Sequence, residues 1–239
     1  MAGQDSNTKL LLHFNGTDGA TETTDATGRH GTINFNGNAQ LDTAEKKFGS
    51  ASLLLDGTGD YLDLPDSNDW DICASNSDNW TVDFWVKHSV YSGQEGYMTH
   101  YQNLQNRWYF YHNDSGVGIA FLLYTSNAVD FYISGGQIVD SNWHHVSLCK
   151  VGNKYGIYKD GVQVAYGTTD LERNVTGSLY IGRRGDNVKY FNGSVDELRI
   201  QHSNYFDASP NAELTDTITV PTEEYSEVKL KRNRGIIIS

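Results

Sequence analysis

Apolar residues along this chain alternate with polar ones in short runs, and the runs are broken by Gly, Asn and Asp. No stretch sustains an apolar period near 3.6, so the pattern predicts strands and no long helix. Strands are expected over 10–14, 51–55, 61–64, 81–87, 107–112, 119–124, 129–133, 143–151, 155–158, 162–166, 179–182 and 194–200, with a shorter one within 32–35. In 81–87 the residues Val82, Phe84 and Val86 share one face and Thr81, Asp83, Trp85 and Lys87 the other. Asp160-Gly161 is the dipeptide that a two-residue type I′ hairpin favours, and it joins two of these runs. Residues 15–50 read mostly as loop. The alternation fades from Asp207, and 221–239 differ in kind, with four basic and three acidic residues before an apolar Ile236-Ile237-Ile238 end. The organisation expected is a tail over 1–9, one domain over 10–206 and an extension over 207–239 that could add a strand to its own sheet or dock on another chain.

Composition narrows the classes. A chain of 239 residues with 24 Gly and 3 Pro can bury a large core and make many tight turns. Its aromatic and β-branched content argues against disorder. Two cysteines, Cys73 and Cys149, exclude a disulfide scaffold and are read as free thiols. With 30 acidic against 18 basic residues the net charge is −12, which disfavours a nucleic-acid partner. The first residues hold no basic region followed by a long apolar run, so neither a signal peptide nor a membrane span is expected there.

Four segments in register carry a family resemblance. They are Phe48-Gly49-Ser50-Ala51-Ser52-Leu53 running through Asp56-Gly57-Thr58-Gly59-Asp60-Tyr61; Trp80-Thr81-Val82-Asp83-Phe84-Trp85-Val86; Trp143-His144-His145-Val146 followed by Tyr158-Lys159-Asp160-Gly161; and Leu179-Tyr180-Ile181-Gly182 followed by Phe191-Asn192-Gly193-Ser194-Val195-Asp196-Glu197-Leu198-Arg199-Ile200. Together they resemble the laminin-G-like branch of the concanavalin A-like lectin/glucanase superfamily, over about 10–206. Asp83 stands where that family usually has Glu. The resemblance implies an all-β jelly-roll sandwich of two antiparallel sheets. Trp85 and Trp143 are large enough to fill the space between two such sheets. His144 and His145 are adjacent on a strand, point to opposite faces, and are read as structural.

Candidate chemistry was weighed in three classes. Retaining glycoside hydrolysis needs two carboxyls roughly 5 Å apart. No Glu-x-Asp-x-x-Glu run exists, Asp83 has no acidic neighbour at 81 or 85, and Asp196-Glu197 are adjacent, so no enzyme is expected. A structural Ca²⁺ would take six to eight oxygens, often from loop carboxylates. Members of the family often hold one at a sheet edge, and Asp25 and Asp196, then Asp18 and Asp60, are the candidate ligands. A sugar site would combine an aromatic platform with polar partners. In 107–113 the residues Trp108, Phe110 and His112 share one face and Tyr109 and Tyr111 the other; the expected ligand face carries Tyr109 and Tyr111 with Arg107 and Asn113.

These readings point to a non-catalytic binding or structural module that recognises a glycan or a protein on a cell surface. The expectation put first is a virion or phage surface decoration or adhesion protein, in which the C-terminal tail docks on virion proteins. It rests on an extracellular type of fold without a visible export signal. The alternative is a secreted bacterial carbohydrate-binding lectin module. A homo-oligomer is compatible with both.

Overall fold

The computed structural model describes residues 4–90, 93–126, 128–185 and 189–226. Alternation dictates the elements. In chain order the strands are β1 (Thr8–Leu12), β2 (Asn34–Asn36), β3 (Gln40–Asp42), β4 (Ser52–Asp56), β5 (Tyr61–Leu64), β6 (Trp80–His88), β7 (Gln94–Tyr101), β8 (Arg107–Asn113), β9 (Gly118–Thr125), β10 (Ala128–Gly135), β11 (Trp143–Val151), β12 (Lys154–Lys159), β13 (Val162–Thr168), β14 (Ser178–Ile181) and β15 (Asn192–Gln201). A 3₁₀ turn at Asn68–Trp70 is the one helical piece among the described residues. The all-β expectation holds.

The strands form two antiparallel sheets. Sheet A runs β13-β12-β11-β6-β15-β4-β3, with β1 also on β15; sheet B runs β10-β9-β8-β7-β14-β5-β2. On one edge β15 pairs with β6; on the other it pairs with β4 through its first half and with β1 through its second. The change falls at a bulge between Asp196 and Arg199. At Asp160 and Gly161 φ is 51° and 86°, the left-handed pair that the type I′ turn between β12 and β13 requires.

Inward residues of both sheets make the core. Val82, Phe84 and Val86 of β6 meet Trp108, Phe110 and Phe121 from β8 and β9. The two tryptophans expected between the sheets are not there. Trp85 lies outside sheet A, with the Lys47 ammonium 3.8 Å from its ring centroid, and Trp143 is half-buried at the start of β11. Their place is taken by Trp70, Trp80 and Trp108. The reason is parity: Trp85 and Trp143 sit one position away from the inward series of their strands. Cys73 and Cys149 are both free and buried.

The outer faces of the two sheets differ. Sheet A is covered by the chain itself. Residues 202–226 cross it, placing Phe206, Ala208 and Ile218 against Cys149 and Tyr158. The Ile218 amide donates to Gly161 O (2.8 Å), and the Tyr158 hydroxyl donates to Asp216 (2.6 Å). The first part of the 207–239 extension is thus an integral cover of the domain. The Ile236–Ile238 segment lies outside the described residues. On the outer face of sheet B the central positions are buried in a small cluster, while Tyr61, Tyr101, Tyr124, Tyr132 and Tyr180 keep part of their rings open to solvent, and there the candidate site lies.

Candidate functional site

Strict alternation along β8 puts Arg107, Tyr109, Tyr111 and Asn113 on the outer face of sheet B, and Trp108, Phe110 and His112 in the core. The four expected ligand residues therefore share one face. Ladder register extends that face sideways. One row runs Tyr180–Thr99–Tyr109–Leu122–Tyr132, and the next runs Ser178–Tyr101–Arg107–Tyr124. Tyr61 on β5 adds to it through ring contact with Tyr180 at 5.9 Å.

A loop crosses this face and supplies two arginines. A Cβ on Gly96 of β7 would lie 2.5 Å from the Arg183 carbonyl carbon, so only glycine lets the loop lie that close to the strand. Thr99 Oγ1 donates to the Arg183 carbonyl (3.0 Å) and fixes it there. The Arg183 guanidinium then sits 3.8 Å from the Tyr61 ring centroid and 3.9 Å from that of Tyr180. Arg184 donates to Gln94 and lies 5.3 Å from the Tyr109 ring. Arg107 is 3.8 Å from Tyr124 and 5.0 Å from Tyr109. Cation–π attraction holds such planar cations flat on aromatic rings.

Exposure changes the roles expected on this face. Tyr109 and Tyr111 are only 2% and 5% exposed, since they pack with Ala120 and Leu122 into a small outer cluster. Burial and the neighbouring Tyr132 push the Tyr111 hydroxyl well up. Both tyrosines form the floor, and the rings open to solvent are Tyr132, 44% exposed, and the half-buried Tyr61, Tyr101, Tyr124 and Tyr180. Asn113 caps its own turn, its Oδ1 accepting from the Ser115 amide (3.2 Å) and hydroxyl (3.0 Å). Tyr61, Tyr132, Tyr180, Arg183 and Arg184 escaped the sequence reading. A signal for Tyr180 was present, because it alternates with the apolar Leu179 and Ile181, and Arg183-Arg184 is a basic pair in an acidic chain.

The four aspartates expected to bind Ca²⁺ each accept hydrogen bonds from nearby groups. Asp25 accepts from the amides of Leu11, Thr27, Arg29 and His30 and from the Thr27 hydroxyl, which closes its loop. Asp196 accepts from the amides of Lys47, Phe48 and Glu197, and burial pushes its carboxyl up to about 7. Asp60 accepts from the Asn38 and Asp56 amides, and Asp18 from Thr43. Among the described residues, the groups of three or more His, Cys, Asp or Glu whose ligand atoms lie within 4.8 Å of one another are His88–Glu95–His112 and His13–Glu197–Glu224, and they contain none of these four.

The first of those groups lies in the core, and hydrogen bonds link His88 to Glu95 and Tyr97 but do not reach His112. His88 Nδ1 is 2.8 Å from Glu95, and its Nε2 is 2.7 Å from the Tyr97 hydroxyl. Burial pushes Glu95 up to about 8 and His88 down to about 4, so the pair is neutral, with the Glu95 O–H donating to His88 Nδ1. His112, also pushed down to about 4 by burial and by His88, accepts the Ile138 amide at Nε2 (3.2 Å). A neutral ring accepting there carries its proton on Nδ1, which leaves no lone pair for a metal. Tyr97 belongs to this interior as well.

A cavity of about 460 Å³ lies elsewhere, lined by Asp71, Asp78, Asn79, Trp80 and His202 among others. Its tryptophan is buried, so it offers no stacking platform.

The comparisons agree with this architecture. Domain 4 of AbnA, a GH43 extracellular arabinanase from Geobacillus stearothermophilus solved with arabinotriose, superposes with a TM-score of 0.64 at 19% identity, covering 84% of this chain and 94% of that one. The binding domain of botulinum neurotoxin DC solved with SialylT gives 0.58 at 12% identity, covering 83% of this chain and 48% of that one. The same domain solved with rat synaptotagmin II gives 0.60 at 13%, covering 88% and 55%. This chain thus spans about half the length of those toxin domains. No curated protein matches it by sequence. Residues 56–206 match the family model described as the concanavalin A-like lectin/glucanases superfamily, and with that span covered the chain belongs to this family.

Proposed function

We propose that this protein is a non-catalytic carbohydrate-binding module whose ligand lies on the outer face of sheet B. The observation that carries the reading is the asymmetry of the two outer faces. Sheet A is covered by its own chain, whereas sheet B leaves a row of tyrosines partly open, backed by arginines. Tyrosine rings offer flat apolar surface to the C–H faces of sugars, and their hydroxyls and neighbouring amides offer hydrogen bonds. Two structurally similar domains were solved with glycans, arabinotriose in one and SialylT in the other, which supports the same class of ligand here.

The test is a glycan array with the full chain, followed by calorimetry on Tyr101→Ala and Tyr124→Ala. Binding of a defined sugar class, weakened about tenfold by either change, supports the reading. Binding unaffected by both places the ligand elsewhere and overturns it. Virion docking through the tail has a separate test. The deletion must begin after Ser226, because the buried Tyr225 hydroxyl bonds Asp83 and an earlier cut would break the fold. Loss of assembly on removing 227–239 would support that role.

A further inference from the structure

We infer that the glycan taken by this face carries a carboxylate, and that Arg107 is its counter-ion; the inference rests on the glycan-binding reading above. Arg107 is 5% exposed, and its Nε and Nη1 are buried with no hydrogen-bond partner. The rings of Tyr124 and Tyr109 cover its planar surface. Stacking of that kind stabilises the cation but gives no acceptor to the N–H groups at its edge. A guanidinium this far from water is ordinarily met by a carboxylate, which matches its planar geometry. Among the described residues the fold supplies none.

The surrounding charge points the same way. The chain carries 30 acidic residues, yet no Asp or Glu occupies an outward position on β14, β7, β8 or β9; at the edge of the face Asp63 of β5 lies beside Tyr180 and accepts from Asn34 and Asn36. Glu95, the one carboxylate in those four strands, faces the core and bonds His88. The loop across the face adds Arg183 and Arg184. In a protein of net charge −12, three arginines gathered on one face favour an anion there more than elsewhere on the surface.

Register explains why the anion would belong to a sugar. Tyr101, Arg107 and Tyr124 lie side by side in one ladder row, with both tyrosines half-buried and the arginine between them. A pyranose ring over one of the tyrosines brings a ring-borne carboxylate next to the guanidinium. Uronic and sialic acids both present such a group. A sulfate ester is also anionic, but it is tetrahedral and matches the planar fork less well.

The experiment uses the full chain on an array of neutral, uronate-bearing, sialylated and carboxylate-free sulfated glycans. Calorimetry then compares the best carboxylated ligand with its methyl ester, on wild type, Arg107→Gln and Arg107→Lys. The expected result is binding to a carboxylated glycan, weakened about tenfold or more by esterification and by each substitution. Arg107→Lys keeps the charge and loses the planar fork, and the ester comparison needs only wild-type protein, so a poorly folding glutamine variant leaves the test intact. Binding to neutral sugars alone, or equal binding of acid and ester, overturns the inference and leaves the glycan-binding reading standing. Preference for sulfated glycans without carboxylate overturns the assignment of the anion. Binding to no glycan at all overturns both.

Discussion

Arg199 and Arg107 occupy equivalent situations on opposite sides of the sandwich, each buried on the outer face of its sheet and each stacked on tyrosines. Arg199 lies 3.5 Å from the Tyr205 ring centroid and 3.8 Å from that of Tyr225; Arg107 lies 3.8 Å from that of Tyr124. They differ in counter-ion. Arg199 donates through Nε to Asp83 (2.9 Å) and through Nη2 to the Tyr225 hydroxyl (3.0 Å), its Nη2 also lies 2.8 Å from the Asp83 carboxylate, and Nη1 is left unpaired. Tyr225 and His145 complete the Asp83 carboxylate from its other side, at 2.5 and 3.2 Å. Arg107 has rings and, among the described residues, no carboxylate. The same chemistry thus closes one face and leaves the other in want of an acceptor. A buried ion pair whose carboxylate is bonded from both sides locks the C-terminal cover onto sheet A, whereas the buried cation of sheet B leaves a place that the inferred external carboxylate would fill.

The comparison can be broken most forcefully at Asp83. Asp83→Ala should cost about 3–5 kcal/mol in urea unfolding, because it strands Arg199 as an uncompensated buried charge. A loss below about 1 kcal/mol would mean that the pair does not hold the cover.

Acid reaches the same pair gradually. Burial pushes the Asp83 carboxyl up, but Arg199, with His145 and Tyr225, outweighs burial and holds it below the ordinary 3.8. The unfolded chain therefore binds more protons than the folded one below that value. Stability from this carboxylate is present above pH 3.8 and is lost as pH falls through the folded pKa. Urea midpoints of wild type should fall across that acid range, and those of Asp83→Asn should fall less; parallel profiles would contradict the assignment.

Tyr225→Phe is a milder probe of the same side. It deletes one hydroxyl shared by Asp83 and Arg199 and should cost about 1–2 kcal/mol. The smallest effect is expected across the molecule at Arg107→Met. With no internal ion pair to lose, and an apolar chain of similar length left on Tyr124, stability should stay within about 1 kcal/mol of wild type. A loss approaching that of Asp83→Ala would reveal a structural role for Arg107 and erase the contrast.

Much of this frame was legible in the sequence, for reasons that particular residues make plain. Alternation in β6 and β8 announced which side chains face in, and Asp160-Gly161 announced its turn. Tyr109 and Tyr111 were placed on the outer face correctly. Their near-complete burial was not legible, since it comes from packing on β9 and from a loop some seventy residues further along the chain. Strand β7 was missed because Glu95 and His100 are buried within it and a bulge between Gly96 and Met98 breaks its alternation. The cover over sheet A was missed because residues 202–226 bury Ile218 and Tyr225 through isolated contacts, with no periodic pattern to betray them. Asp25 and Asp196 were singled out as ligands because acidic loop residues serve cations, and they serve backbone amides equally well. Their hydrogen bonds to successive amides appear only in three dimensions.

The most direct measurement follows the two arginines at once. In uniformly ¹⁵N-labelled protein the Nε–H signals of Arg107 and Arg199 can be assigned through Arg107→Lys and Arg199→Lys and followed during titration with the best carboxylated glycan. The account predicts that the Arg107 signal moves in a saturable way while that of Arg199, already bonded to Asp83, stays in place. A glycan that binds and leaves the Arg107 signal unmoved would contradict it.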